Sequence, residues 1–564
     1  MRLGVPENYK EHTNLTEARE LHARGDHAGA ATLCRVILSA TPDDAAALHL
    51  LGVIMSEVGL HSQALPIFER ALRMGGTEPT LLYNYGMALR ALGNLTMAGR
   101  AFHLAANGNA TDIESWVALG TTRLALKQFE AAVIALQKAA ALDPARTDIR
   151  NNLAIAEIGF GLEQQRARAF EAAHALLSDA TRNAPGNAQT HATHANVLRD
   201  MGRFADAQAA FARAHALAPD DPGIIANQAL AHLHAGDVEA AMAGYRRACA
   251  LAPLSEPIRS GLAQALLTAG RFAEGWAEFE HRRADPAIAR SLLDLSGQPW
   301  RGEDLAGRTL VLRCEQGLGD TIQFARYVPI LAGLGAAVYL VGPARLAHLL
   351  SGLAGLAGFV ADDVFPPPAD FYAPLLSVPY LLKETSVRVA EPYLAADPDR
   401  AAQWQRRLDG MAGRPRIGIA WQGNPAYEMD YLRSVPGEHM ADLIRGLDAR
   451  FLILQRGEVT QLVRDAGAID LGPDVDRDAA FVDTAAIMAN LDLVITSDTA
   501  MAHLAGALGC PAWVLLPSAP DWRWRLQGAQ CDWYASLRLI RQPRPNDWAG
   551  AVAAARAALT SQVL

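Results

Sequence analysis

A period of 34 residues constrains this chain more than any other feature. Small residues recur at Ala30, Ala64, Ala98 and Ala132, and after a step longer by seven residues they resume at Ala173, Ala207, Ala241 and Gly275. Four residues after each stand Cys34, Phe68, Phe102, Leu136, Leu177, Phe211, Tyr245 and Phe279, and three further on Ile37, Ala71, Ala105, Ala139, Ala180, Ala214 and Ala248. Glycines follow Leu51, Tyr85 and Leu119, and prolines close units at Pro42, Pro144, Pro185, Pro219 and Pro253. Small residues let two antiparallel helices approach, the larger side chain fills the seam, and proline stops the second helix before the next unit begins. The period therefore predicts an α-solenoid of about eight helical pairs over 10–283. The extra residues near 159–165 are expected to bend it or to enlarge a loop.

The repeat resembles the tetratricopeptide repeat, which implies a groove for a protein or peptide. Asn84, Asn151, Asn152, Asn196 and Asn227 fall in first helices. They are placed either to clamp a peptide backbone or to serve as solvated positions and inter-helix hydrogen bonds. Such an array binds a partner or a second copy of itself, so a homodimer is an open expectation.

At 564 residues the chain is too long for one core. A net charge of −9 excludes the basic footprint of a nucleic-acid binder. The five cysteines, Cys34, Cys249, Cys314, Cys510 and Cys531, are scattered without a CxxC pair, which fits a reducing compartment and argues against a cysteine-based zinc site. The first residues lack an apolar signal-peptide core. The longest uncharged stretch, 327–344, is interrupted by Pro329, Gly333, Gly335, Gly342 and Pro343. No membrane span and a cytoplasmic location are expected.

After a connector over 284–307 the periodicity changes. Apolar runs at 310–314, 337–341, 359–361 and 371–373 alternate with helical stretches at 320–334 and 344–352. A second series of strands is expected at 416–421, 451–454, 493–496 and 512–516. Strand and helix in alternation imply parallel sheets, hence two Rossmann-like lobes, 308–405 and 406–564, with a cleft at the carboxyl ends of their strands.

Two segments read as strand, tight turn and helix start. One is Gln316-Gly317-Leu318-Gly319-Asp320-Thr321; the other begins Thr496-Ser497-Asp498-Thr499 and runs through Ala500, Met501 and His503. The first has only a partial glycine fingerprint, since Ile322 holds the third glycine position, and the absence of any Gly-Lys dipeptide excludes a P-loop. Asp320 is either a helix cap or a general base. The backbone N–H groups of Thr499, Ala500 and Met501 would face a diphosphate, with His503 one turn on; the alternative is that Thr499 caps and His503 packs. Gln422 and Asn424 lie in a turn after a strand, and Arg433 beside Ser434 suits a phosphate. The aromatics Trp522, Trp524, Trp533 and Tyr534 stack on a ligand or pack the lobes together. Asp474, Asp476 and Asp478 read as a solvated loop, and no metal is expected.

Taken together, 315–327, 417–425, 483–485, 491–509 and 520–524 resemble a GT-B glycosyltransferase module of the family 9 heptosyltransferase kind. The fusion also resembles the O-linked N-acetylglucosamine transferases and bacterial flagellin glycosyltransferases. The resemblance implies an inverting, metal-independent transfer from a nucleotide sugar to Ser or Thr of a protein, flagellin being one acceptor. Asp320 would be the base. The phosphates would be held by Gly317, Gly319, Gln422, Asn424, Arg433, Ser434 and the 498–501 turn, with His503 stabilising the leaving group. Where relatives carry a Lys before that arginine, this chain has Tyr427 and Glu428. Transfer to a surface glycan, or a scaffold with a decayed transferase half, remain the alternatives.

Overall fold

The computed structural model describes residues 7–562, except 76, 390, 410–413, 428–429 and 457–460; Glu428 lies outside the described residues. The chain forms two compact units, Met1–Val197 and Leu198–Leu564.

In the first unit, helices pair as the period requires: Glu7–Ala23 with His27–Ala40, Ala45–Glu57 with His61–Arg73, Pro79–Ala91 with Leu95–Gly108, Ile113–Ala125 with Phe129–Leu142, and Thr147–Arg166 with Phe170–Asn183. Helix Ala188–Asp200 crosses the division between the units. Close approach explains the glycines: a Cβ on Gly52 would lie 2.6 Å from the Phe68 ring, and one on Gly86 2.7 Å from Phe102. Asp26 and Asp44 cap following helices, accepting from the Gly29 and Ala47 amides at 2.8 Å. The seven extra residues correct the expectation of an enlarged loop. Helix Thr147–Arg166 is continuous at 20 residues, against 13 in Ile113–Ala125. Seven residues are about two turns, so the inward face keeps its register.

The second unit begins with the last helical pairs, ending in Glu256–Thr268 with Phe272–Phe279, and continues into two parallel sheets. The first comprises β1 (Gln298–Pro299), β2 (Thr309–Arg313), β3 (Ala337–Gly342), β4 (Leu356–Ala361) and β5 (Phe371–Pro374), in the order β1-β5-β2-β3-β4. The second comprises β6 (Arg416–Ala420), β7 (Arg450–Ile453), β8 (Ile469–Asp470), β9 (Leu493–Ser497), β10 (Ala512–Leu516) and β11 (Leu537–Arg541), in the order β11-β10-β9-β6-β7-β8. Ile495 and Leu515 face the helices Gly437–Ile444 and Trp548–Gln562, whereas Val494 and Val514 join the opposite core with Ala502 and Leu504. The second sheet is thus covered on both sides, which is why its strands read as continuous apolar runs.

Three expected boundaries move. The connector supplies the edge strand β1, and Leu295 packs on Val311 and Val341. The expected helix over 320–334 is two, Leu318–Phe324 and Tyr327–Gly333, because Pro329 has no N–H to continue the first. Helix Pro398–Asp409 runs across the expected division at 405/406. It is held to the second lobe by Arg400 Nη1 and Trp404 Nε1, which donate to Asp483 Oδ1 at 2.9 and 3.0 Å.

The last helical pair is part of the core beneath the sheets. Trp276 meets Trp522 edge-on at 5.4 Å and Phe324 at 6.2 Å. The buried Arg282 donates to Glu315 Oε1 at 2.5 Å, and Arg525 donates to the Thr268 carbonyl at 3.0 Å. Two pairs earlier, Asp200 accepts from Tyr431 Oη at 3.3 Å.

Candidate functional site

Strand order places the site. In the second sheet the chain runs outward from β6 through β7 to β8, then returns to the other side of β6 as β9, β10 and β11. The loops after β6 and β9 therefore diverge, leaving the crevice in which open parallel sheets take ligands. In the first sheet the same reversal lies between β2 and β5.

The loop after β2 enters helix Leu318–Phe324 with Gly317 as its N-cap residue. The Gly317 amide donates to Asp320 Oδ2 at 2.9 Å, so Asp320 closes its own helix start. Its other oxygen accepts from Arg523 Nη2 of the second lobe at 2.5 Å. Arg523 also donates to Gln323 Oε1 at 2.6 Å and to Asp521 Oδ1 at 3.0 Å, and its guanidinium lies 4.3 Å from the Trp522 ring. Burial opposes the charge on Arg523, but Asp521, Asp320 and Asp498 outweigh it and hold the guanidinium ionised.

Across the cleft, Thr499 is the N-cap of helix Ala500–Leu508, its Oγ1 accepting from the Met501 amide at 3.3 Å. One of the three amides expected to face a phosphate is thus engaged within the chain. Gly319 lies directly against this helix start: a Cβ there would be 3.1 Å from His503 Cδ2 and 3.2 Å from Ala500 Cα. His503 is buried, its ring 5.4 Å from that of Trp524 in a stacked geometry, and its Nδ1 hydrogen-bonds with Tyr534 Oη at 3.2 Å. Burial, reinforced by Arg523, Arg326 and Arg433, holds the imidazole well below its usual range, so it is neutral at pH 7. Asp498 is pushed up to about 6, first by burial and then by Asp521, with Arg433 and Arg523 opposing. Nearby, Ser497 Oγ and Gln323 Nε2 are buried with no hydrogen-bond partner among the described residues.

The loop after β6 is organised by two residues that sequence reading missed. Gln455 Oε1 accepts from the Trp421 and Gln422 amides at 3.1 and 3.0 Å. Buried Asp430 accepts from Arg433 Nε at 3.0 Å and from Ser434 Oγ at 2.7 Å, and Ser434 Oγ in turn accepts from the Gly423 amide. Arg433 also lies over the Tyr427 ring at 5.0 Å. Asn424 Oδ1 accepts from Ala426 N at 3.1 Å, which closes the turn. Gln422, Asn424 and Ser434 thus serve the loop itself, whereas Gly319, Asp320, Ala500 and His503 converge and Asp498 interacts electrostatically with Asp521, Arg433 and Arg523.

The aromatic cluster packs the lobes: Trp522, Trp524, Trp533 and Tyr534 are all buried. Asp476 is not solvated. Its carboxylate accepts from the amides of Asp483 and Thr484 and caps helix Val482–Met488; Asp474 remains exposed. Asn84 forms an inter-repeat hydrogen bond, 2.9 Å from His49 Nε2. All five cysteines are free thiols. Among the described residues no helix is long and apolar enough to cross a membrane.

Two tetratricopeptide repeat models match residues 113–146 and 193–256. The chain carries tetratricopeptide repeats. It is 27% identical over 390 residues to Protein FlbA of Caulobacter vibrioides, a match that covers 63% of this chain and 64% of FlbA. Its fold is similar to the crystal structure of MamA, at 20% identity, 29% coverage of this chain, 93% of the other and a TM-score of 0.26. It is also similar to the structure of Naa15/Naa10 bound to HypK-THB, at 15% identity, coverage of 49% and 42% and a TM-score of 0.39. Repeats of this kind suggest protein partners.

Proposed function

We propose that the α/β half is a GT-B glycosyltransferase that transfers sugar from a nucleotide donor to Ser or Thr of a protein captured by the repeats. The convergence of Gly319 and Asp320 of one sheet with Ala500 and His503 of the other, at the switch points of both, carries this reading. The donor diphosphate sits between the Thr499 helix start and Arg433, with Arg523 above it, where the helix dipole and two cations stabilise the leaving phosphate. Ser497 Oγ and Gln323 Nε2 supply polar atoms that no other described residue satisfies. Asp320, oriented by Arg523, accepts the acceptor hydroxyl proton once that contact opens. Flagellin is the acceptor that the family resemblance suggests, and the site is cytoplasmic.

A protein-binding scaffold is the second reading. It is favoured by the engagement of both Asp320 oxygens and of the Met501 amide within the chain. Calorimetric titration with a panel of UDP, GDP, CMP, dTDP and ADP sugars separates the two. The transferase reading expects one of them to bind saturably, and to weaken by about tenfold or more in Arg433→Ala. Binding of none supports the scaffold.

A further inference from the structure

In the first unit, three helices place metal-ligand side chains together. His22 lies near the end of helix Glu7–Ala23, His27 begins the next helix, and Glu57 ends helix Ala45–Glu57. One donor atom from each lies within 4.8 Å of the other two. His22 Nε2 is 2.7 Å from Glu57 Oε2, and His27 Nδ1 is 3.6 Å from the same oxygen. The two imidazoles meet edge to face at 5.6 Å between centroids.

His27 Nδ1 is the informative atom. It is buried, yet it has no hydrogen-bond partner among the described residues, because 3.6 Å from Glu57 is too far for one. A tetrahedral ion with nitrogen and oxygen ligands at about 2.0–2.2 Å needs its donors about 3.3 Å apart. The observed 2.7 and 3.6 Å to the shared Glu57 oxygen bracket that separation, and all three donors lie within 4.8 Å of one another. Two imidazoles with one carboxylate select the zinc class of divalent ions over calcium or magnesium, which take oxygen. The side chains are 24, 38 and 45% exposed, so solvent reaches the cluster and water can fill a fourth position.

We propose that His22, His27 and Glu57 bind a divalent transition ion of the zinc class. The ligands come from both helices of the first pair and the first helix of the second, so the ion staples one repeat to the next. Binding requires that junction to be folded and therefore stabilises it.

The test titrates the full chain, stripped of metal, with zinc chloride by calorimetry, alongside hydrogen exchange over residues 14–60. One saturable equivalent is expected, weakened by about tenfold or more in His22→Ala, His27→Ala and Glu57→Gln. Zinc is expected to slow exchange at 21–60 in the wild type and not in the variants. Glu57→Gln keeps a hydrogen-bond acceptor for His22 while removing the anionic ligand. Lost zinc binding with unchanged helicity in that variant thus separates ligation from folding. Unchanged affinity in all three variants, or no saturable binding to the wild type, overturns the proposal.

Discussion

Arg523 and the three carboxylates around it dominate the chemistry at the residue scale. Arg523 is buried and reaches Asp320 and Asp521 directly, and it lowers the proton affinity that burial would otherwise give Asp498. Removing one partner of a buried charged group leaves the others uncompensated, so Arg523→Ala is expected to cost about 3–5 kcal/mol in chemical denaturation. Arg523→Lys keeps the charge but loses the fork that spans two carboxylates, and a smaller loss is expected. Asp498 gives a pH signature. Its carboxyl titrates near 3.8 when unfolded and at about 6 when folded, so the folded state holds the proton more tightly. Its contribution to stability therefore falls as pH rises between those values and is level above them. Urea midpoints of the wild type should drop relative to Asp498→Asn across that window; parallel curves would contradict the assignment. Gly319→Ala places a methyl 3.1 Å from His503 and 3.2 Å from Ala500 Cα. It should lower stability by about 1–3 kcal/mol, read as a reduced Tm. The glycine loop and the Thr499 cap were legible because each is a local run of residues with one geometric meaning. Arg523 was not, because its contact with Asp320 joins positions 203 residues apart and its own neighbourhood reads as an aromatic cluster.

Elements were legible where a period persists. Every helical pair of the repeat array lies where the 34-residue spacing puts it, and the strands of both sheets fall close to their apolar runs. The misses have physical causes. β1 and β8 are two residues long and carry no pattern, and β11 holds arginines at Arg538 and Arg541 that mask an apolar strand. The insertion near 159–165 read as a bend or an enlarged loop because it breaks the 34-residue count, yet a seven-residue step preserves helical phase. The seams between helices depend on glycine meeting a ring. Gly86→Ala is expected to destabilise the first unit by about 1–3 kcal/mol through overpacking against Phe102, and adding Phe102→Leu should recover part of the loss. Thermal melts of the single and double variants check this; additive losses would show that the two positions are uncoupled.

Over the whole molecule, the repeats do not end where the sheets begin. Trp276, Phe279 and Arg282 are built into the core shared with Phe324, Glu315 and Trp522, and Arg525, two residues from Arg523, is bonded to the last repeat. A chain beginning at 198 should therefore express as a folded unit with one cooperative unfolding transition, whereas one beginning at 284 exposes that aromatic core and should aggregate. If the shorter chain is monomeric and cooperative, the last repeat is not integral. The same junction ties the last repeat to the segment that carries Arg523, as the proposed transfer to a captured protein would require. The most direct test of that activity is intact-mass measurement of the proteins this chain captures from its native cells, comparing wild type with Asp320→Asn. The account predicts a captured partner that carries a sugar-sized mass in the wild-type strain and lacks it in the variant. Partners captured equally, with no such mass in either strain, would contradict it.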